Sequence, residues 1–180
     1  MDDIVQAHDL TFRKMITAEQ IAERVQEMGT QLARDFAGQH PLFLVVLKGA
    51  YIFAADLLRA CPIDQELAFV RLSSYQGTRS SGTVRMDLEM TATVTDRQVI
   101  IVEDIVDTGR TLEAFRQKLL ADDPADLKIA TLLHKPEAQA FDLIPDYVGF
   151  TIPNEFVIGY GLDYDEAGRH LPAIYQRTDT

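Results

Sequence analysis

Apolar and polar positions along the chain repeat with two different periods. Ile21, Val25, Met28, Leu32 and Phe36 recur at steps of three and four, the period of an amphipathic helix. Thr17 and Gln20 precede them at the spacing of a capping box, so a helix is expected to start after Thr17 and to end at Gly38. The run LFLVVL at 42–47 has no polar face, which predicts a strand covered on both sides. Lys48-Gly49 interrupts it, and 50–60 reads as a helix. Further strands are expected over 66–72, 99–102, 127–133, 147–150 and 156–160, with a helix near 111–120. The stretch SSYQGTRSSGT at 73–83 has no buried pattern and reads as a loop.

Buried strands alternating with helices predict an α/β fold with a mainly parallel sheet and helices on both faces. Ligands of such sheets bind beyond the carboxyl ends of the strands. Lys48-Gly49, 103–111 and His134-Lys135 each directly follow an expected buried strand, as does the loop at 73–83.

Length and charge narrow the classes. A chain of 180 residues suits one domain over 1–180. No apolar run approaches the roughly 20 residues that span a bilayer. The start Met1-Asp2-Asp3-Ile4 is acidic, unlike a signal peptide. Cys61 is the only cysteine, which excludes an intramolecular disulfide and fits a cytoplasmic protein with a buried, inert thiol. The net charge of −11 argues against nucleic acid and membrane surfaces as partners. It leaves room for a small anionic substrate held by local Lys and Arg, backbone amides and a metal ion.

The densest chemistry lies in VIIVEDIVDTGRTL at 99–112. Adjacent carboxylates Glu103 and Asp104 at a strand end can hold sugar hydroxyls or a hydrated Mg²⁺. Asp107-Thr108-Gly109-Arg110-Thr111 can present backbone N–H groups and two hydroxyls at a helix start, where the dipole favours an anion. Gly109 permits close approach or a positive φ. The plain alternative is an N-cap, with Asp107 or Thr108 merely starting the helix. The Glu-Asp pair just upstream of the turn favours a sugar-phosphate site instead.

This segment resembles the PRPP-binding motif of type I phosphoribosyltransferases, in their hypoxanthine-guanine branch. LKGAYIFAADL, SSYQGTRSSG, LLHKPEA and DYVGFTIPNEFVIGYGLDYDE resemble the same branch, in order and spacing, so the likeness runs from about His8 to Pro172. It implies the type I phosphoribosyltransferase fold, with a small hood from the N-terminal segment and about 150–180. It also implies transfer of the phosphoribosyl group from PRPP to N9 of hypoxanthine or guanine, giving IMP or GMP and pyrophosphate. Mg²⁺ is the implied cofactor, and a homodimer or homotetramer the implied assembly.

The resemblance assigns roles. Glu103 and Asp104 would hold the ribose hydroxyls and, with Asp163, the magnesium. Asp107 would be the general base near purine N7, and Asp107, Thr108, Gly109, Arg110 and Thr111 would bind the 5′-phosphate. Lys48, Gly49 and Arg169 would bind pyrophosphate, with a cis peptide before Lys48. Ser73, Ser74 and Tyr75 would open a flexible loop that closes over the reacting atoms. Lys135 would donate to the purine O6, Phe156 would stack on the base, and Val157 and Asp163 would meet its edge. For each, a bland role exists: Lys48-Gly49 as a simple turn, Lys135 or Arg169 as a surface cation, Phe156 as core. His134 receives no role. Thr151 and Asn154 stand where many relatives carry Glu and Asp, which leaves a xanthine-preferring enzyme open. A nucleotide-sensing regulator of the same fold and a phosphorelay receiver domain are the competing classes.

Overall fold

A computed structural model describes residues 3–74, 84–86 and 92–178. In chain order its elements are β1 (Ile4–Ala7), β2 (Leu10–Ile16), α1 (Ala18–Asp35), β3 (Leu42–Leu47), α2 (Tyr51–Ala60), β4 (Glu66–Ser74) and β5 (Val84–Met86). There follow β6 (Gln98–Val106), α3 (Arg110–Leu120), β7 (Asp126–His134), β8 (Tyr147–Thr151), β9 (Val157–Ile158) and β10 (Ile174–Arg177).

The capping box forms as expected. Gln20 N donates to Thr17 Oγ1 at 3.3 Å, and Thr17 N donates to Gln20 Oε1 at 2.9 Å. The apolar stripe of α1 is buried against α2, closely enough that a Cβ on Gly29 would lie 2.5 Å from Ala60 Cβ.

The large sheet has the order β5-β4-β3-β6-β7-β8. All neighbours pair in parallel except the edge strand β5. The period of two along β3 divides its apolar run between two cores. Phe43 and Val45 join α1 and α2 on one face, whereas Leu42, Leu44 and Val46 join Leu112, Phe115 and Leu119 of α3 on the other. Each such buried side chain contributes about 1.5–3 kcal/mol, which is why this strand has no polar position.

The chain first adds β4 on one side of β3 and then crosses to place β6 on the other. The carboxyl ends of β3 and β6 therefore lead away in opposite directions. Pairing of β3 with β6 stops at Val45↔Val102, while β6 stays paired with β7 as far as Val106↔His134. A crevice opens at this switch point, the usual ligand position in open α/β sheets.

A second, antiparallel sheet of order β1-β2-β10-β9 gathers both ends of the chain over a core of Ala7, Phe12, Ile158, Ala173 and Tyr175.

Several boundaries differ from expectation. β6 continues through Glu103 and Asp104 to Val106, so the acids lie within the strand and not past an end at Val102. Carboxylates read as strand breakers, but continued pairing to β7 overrides their weak β preference. β4 likewise extends to Ser74, so Ser73 and Ser74 end a strand where a loop was expected. Phe156 precedes β9 instead of starting it. β1, β2, β5 and β10 were not expected. The β1–β2 hairpin turns at His8 and Asp9, with His8 at φ +50°, and so lacks the glycine that announces such turns.

Candidate active site

The loop after β3 is built around Gly49. A Cβ there would lie 1.4 Å from Asp104 Oδ2, and a Cβ on Gly161 would lie 2.1 Å from the Gly49 carbonyl oxygen. Three segments distant in sequence thus meet on one residue that has no side chain. The Leu47–Lys48 peptide is cis. A cavity of about 300 Å³ lies beside this loop, lined by Lys48, Gly49 and the whole run 103–111.

Glu103 and Asp104 bring two carboxyls into this cavity. Burial, reinforced by the neighbouring Asp104, pushes the Glu103 carboxyl well above the usual carboxylate range. Burial also raises Asp104, against the pull of a hydrogen bond from Ile105 N at 2.8 Å and the charge of Arg169. An all-oxygen pair that is costly to ionise without a counter-charge suits a hard divalent cation.

The turn that follows is not an acidic cap. The N-cap of α3 is Gly109, at φ +73°, with no side-chain capping bond. The Asp107 carboxylate and Thr108 hydroxyl are therefore not spent on starting the helix. The first intrahelical bond runs from Glu113 N to Gly109 O at 2.8 Å, so the N–H groups just before Glu113 fall outside the ladder and suit an anion. The Arg110 guanidinium lies over the Phe141 ring at 5.8 Å. That placement leaves the backbone of Arg110 as its contribution to the cradle.

Lys135 is only 5% exposed, and its Nζ lies 3.3 Å from Asp107 Oδ2. It is not a solvated surface cation. Phe156, by contrast, is 44% exposed and hence not core. It stands edge-on to Tyr164 with ring centroids 5.8 Å apart and tilted to Phe12 at 6.1 Å. These neighbours fix the ring while leaving much of it open. Val157 is buried in β9.

Asp163 and Arg169 pair at 2.8 Å, and Arg169 also donates to the Gly161 carbonyl at 2.8 Å. Asp163 Oδ2 accepts from Glu166 N at 2.8 Å. Among the described residues no group of three His, Cys, Asp or Glu converges as a ready metal site, so Asp163 does not stand directly with Glu103 and Asp104. Arg169 links them, pairing with Asp163 while its charge acts on Asp104.

Tyr75 lies outside the described residues, as do the side chains of Ser73 and Ser74. His134 Nε2 is buried with no hydrogen-bond partner among the described residues. Glu166 was missed by sequence reasoning. Its carboxylate takes Lys48 Nζ at 2.7 Å and Arg169 at 3.1 and 3.2 Å. A partner 118 positions away leaves no local signal. Phe12, which packs against Phe156 from the far end of the chain, was missed for the same reason.

The model of the phosphoribosyl transferase domain matches residues 13–165. A hypoxanthine-guanine phosphoribosyltransferase of Lactococcus lactis is 45% identical over 161 residues, 89% of this chain and 87% of that protein. One of Mycobacterium bovis is 43% identical over 176 residues, 90% of this chain and 87% of its own length. Among solved structures, the hypoxanthine-guanine phosphoribosyltransferase of Bacillus anthracis superposes with a TM-score of 0.85 at 40% identity, covering 92% of this chain and 96% of the other. A hypoxanthine phosphoribosyltransferase of Staphylococcus aureus gives 0.88 at 35% identity, covering 98% and 92%. The receiver-domain reading falls with these matches and with the acidic pair's place on β6, the fourth strand of the large sheet in chain order and not the first. The chain belongs to the phosphoribosyltransferase family, within its hypoxanthine-guanine branch.

Proposed function

We propose that this protein is a magnesium-dependent enzyme of purine salvage that joins hypoxanthine or guanine to the ribose 5-phosphate of PRPP. The observation that carries this is the contact of Lys135 with Asp107 at 3.3 Å, beside the phosphate cradle. A 6-oxopurine presents O6 and N7 side by side on one edge. An ammonium can donate to O6 while a carboxylate takes the proton from N7. Adenine offers an amino group where O6 would be, and so opposes two donors.

In this reading the run 107–111 binds the 5′-phosphate, and Glu103 and Asp104 hold the ribose hydroxyls and the metal. Mg²⁺, when bound there with help from Asp163, supplies Lewis-acid neutralisation of the departing phosphates. Lys48 and Arg169 receive the pyrophosphate. Phe156 stacks on the base, and the backbone at Val157 meets its edge. N9 forms a bond to the anomeric carbon as the bond to pyrophosphate breaks, and the N7 proton passes to Asp107. Positioning and electrostatics do most of the work, so no covalent enzyme intermediate is needed. Ser73 and Ser74, the last residues of β4, stand with Tyr75 where the chain would help to exclude water during the reaction. The antiparallel sheet serves as the hood of a single domain spanning 1–180. We take the enzyme to be cytoplasmic, in keeping with its lone buried Cys61 and the lack of a long apolar helix among the described residues. We also take it to be a homodimer or homotetramer, since Leu67 and Phe69, on one face of β4, stay exposed.

The test is nucleotide formation by purified protein with PRPP, Mg²⁺ and each of hypoxanthine, guanine, xanthine and adenine. IMP and GMP are the expected products. Preferential formation of XMP would move the base preference, and no nucleotide from any base would refute the proposal.

A further inference from the structure

Resting on that reading of Lys48 and Arg169, we propose that Glu166 is an internal anion that competes with pyrophosphate for its two cations and helps to expel it.

The backbone supplies the first argument. Tyr164 N donates to Ala167 O at 2.9 Å, and Ala167 N donates to Tyr164 O at 3.0 Å, closing a two-residue hairpin turn. Its central residues, Asp165 and Glu166, have φ of +48° and +65°. This is the type I′ pattern, which favours Asn-Gly or Asp-Gly. Glutamate stands where glycine is favoured and holds a conformation that L side chains adopt rarely. Non-glycine residues in such conformations cluster at functional sites.

The side chain supplies the second. One carboxylate oxygen meets Lys48 Nζ at 2.7 Å, and the other meets Arg169 Nη2 at 3.1 Å and Nε at 3.2 Å. A single anion thus bridges a cation after β3 and one from the loop before β10, as two oxygens of a phosphate can. The two hydrogen bonds keep the Glu166 carboxyl below the usual carboxylate range.

Exposure supplies the third. Glu166 and Lys48 side chains are 63% and 51% exposed. Pairs so exposed contribute little stability, so a polyanion can displace the carboxylate. Once pyrophosphate is seated, the displaced carboxylate adds like-charge repulsion nearby and is ready to recapture both cations. This favours release of the product.

The experiment is calorimetric titration of Mg²⁺-pyrophosphate into the full chain, in wild type, Glu166→Gln, Glu166→Gly and Lys48→Met. Glu166→Gln and Glu166→Gly are expected to bind pyrophosphate about fivefold more tightly, equivalent to about 1 kcal/mol. Glycine suits the turn, so its variant should melt no lower than wild type, separating the effect from damage to the fold. Damage would weaken binding, the opposite sign. Lys48→Met should bind more weakly. If Lys48→Met weakens binding while both Glu166 variants bind as wild type or worse, the competitor role is overturned and the pyrophosphate site stands. If Lys48→Met binds like wild type, the site assignment fails and the competitor role fails with it.

Discussion

Gly49 offers the sharpest test of the site, because the structure sets both the size and the place of the damage. In Gly49→Ala the new Cβ would sit 1.4 Å from Asp104 Oδ2, whereas ordinary contact begins near 3.4 Å. The Asp104 carboxylate must therefore retreat by about 2 Å, because the other side of Gly49 is closed by Gly161, whose own Cβ position lies 2.1 Å from the Gly49 carbonyl. That retreat also endangers the 2.8 Å bond from Ile105 N to Asp104 Oδ1. A misplacement of about 1 Å at a reacting centre can cost about 10²-fold, so kcat/KM for PRPP should fall at least that far, or about 2.7 kcal/mol. Overpacking costs about 1–3 kcal/mol of stability, which for a chain of this size lowers Tm by roughly 2–12 °C. Gly29→Ala is the matched control. Its Cβ would meet Ala60 at 2.5 Å, between α1 and α2 and away from the site, so Tm should fall similarly while kcat/KM holds. The assays are PRPP-dependent nucleotide formation and a thermal melt for both variants. PRPP kinetics within threefold of wild type in a folded Gly49→Ala protein would refute the claim that Gly49 exists to admit Asp104.

Three further outcomes follow from the geometry. Asp107→Asn should bind PRPP nearly normally but lose about 10²–10⁴-fold in turnover, measured by stopped assay and by titration, since the amide keeps the shape and removes the base. Lys135→Met should lose activity on hypoxanthine and guanine and narrow the gap to adenine, because a buried donor facing an amino group costs about 1–3 kcal/mol; wild-type ratios of kcat/KM across the three bases would make Lys135 irrelevant to selection. Burial raises the Cys61 thiol from 9.0 to about 11, so the folded chain keeps that proton more tightly than the unfolded chain. Stability from this source is complete below pH 9 and is lost as pH rises towards 11, a decline that Cys61→Ala should flatten in denaturant titrations. At pH 8 a disulfide reagent should label the native thiol far more slowly than the unfolded one.

Elements with a strong period were legible in the sequence. LFLVVL at 42–47 became β3 with the expected bounds, and the capping box of α1 formed as spaced. Legibility declined where pairing partners outvoted local preference. Glu103 and Asp104 read as lying just past a strand that ends at Val102, yet pairing with β7 carries the strand through them. Short strands such as β1 and β10 have too few residues to display a period, and their existence depends on pairing with β2 between them.

The sequence by itself determined the α/β class, the places of the buried strands, and the residue types that follow them. These follow from backbone periodicity and from chemistry within a few residues. Only the tertiary structure decided which ends meet: that β3 and β6 flank the switch point, that Lys135 touches Asp107, and that Glu166 bridges Lys48 and Arg169. Pairs 28 and 118 residues apart leave no periodic trace along the chain. They are set by the order in which strands pack and by the close approaches that Gly49 and Gly161 permit, and both are properties of the whole fold.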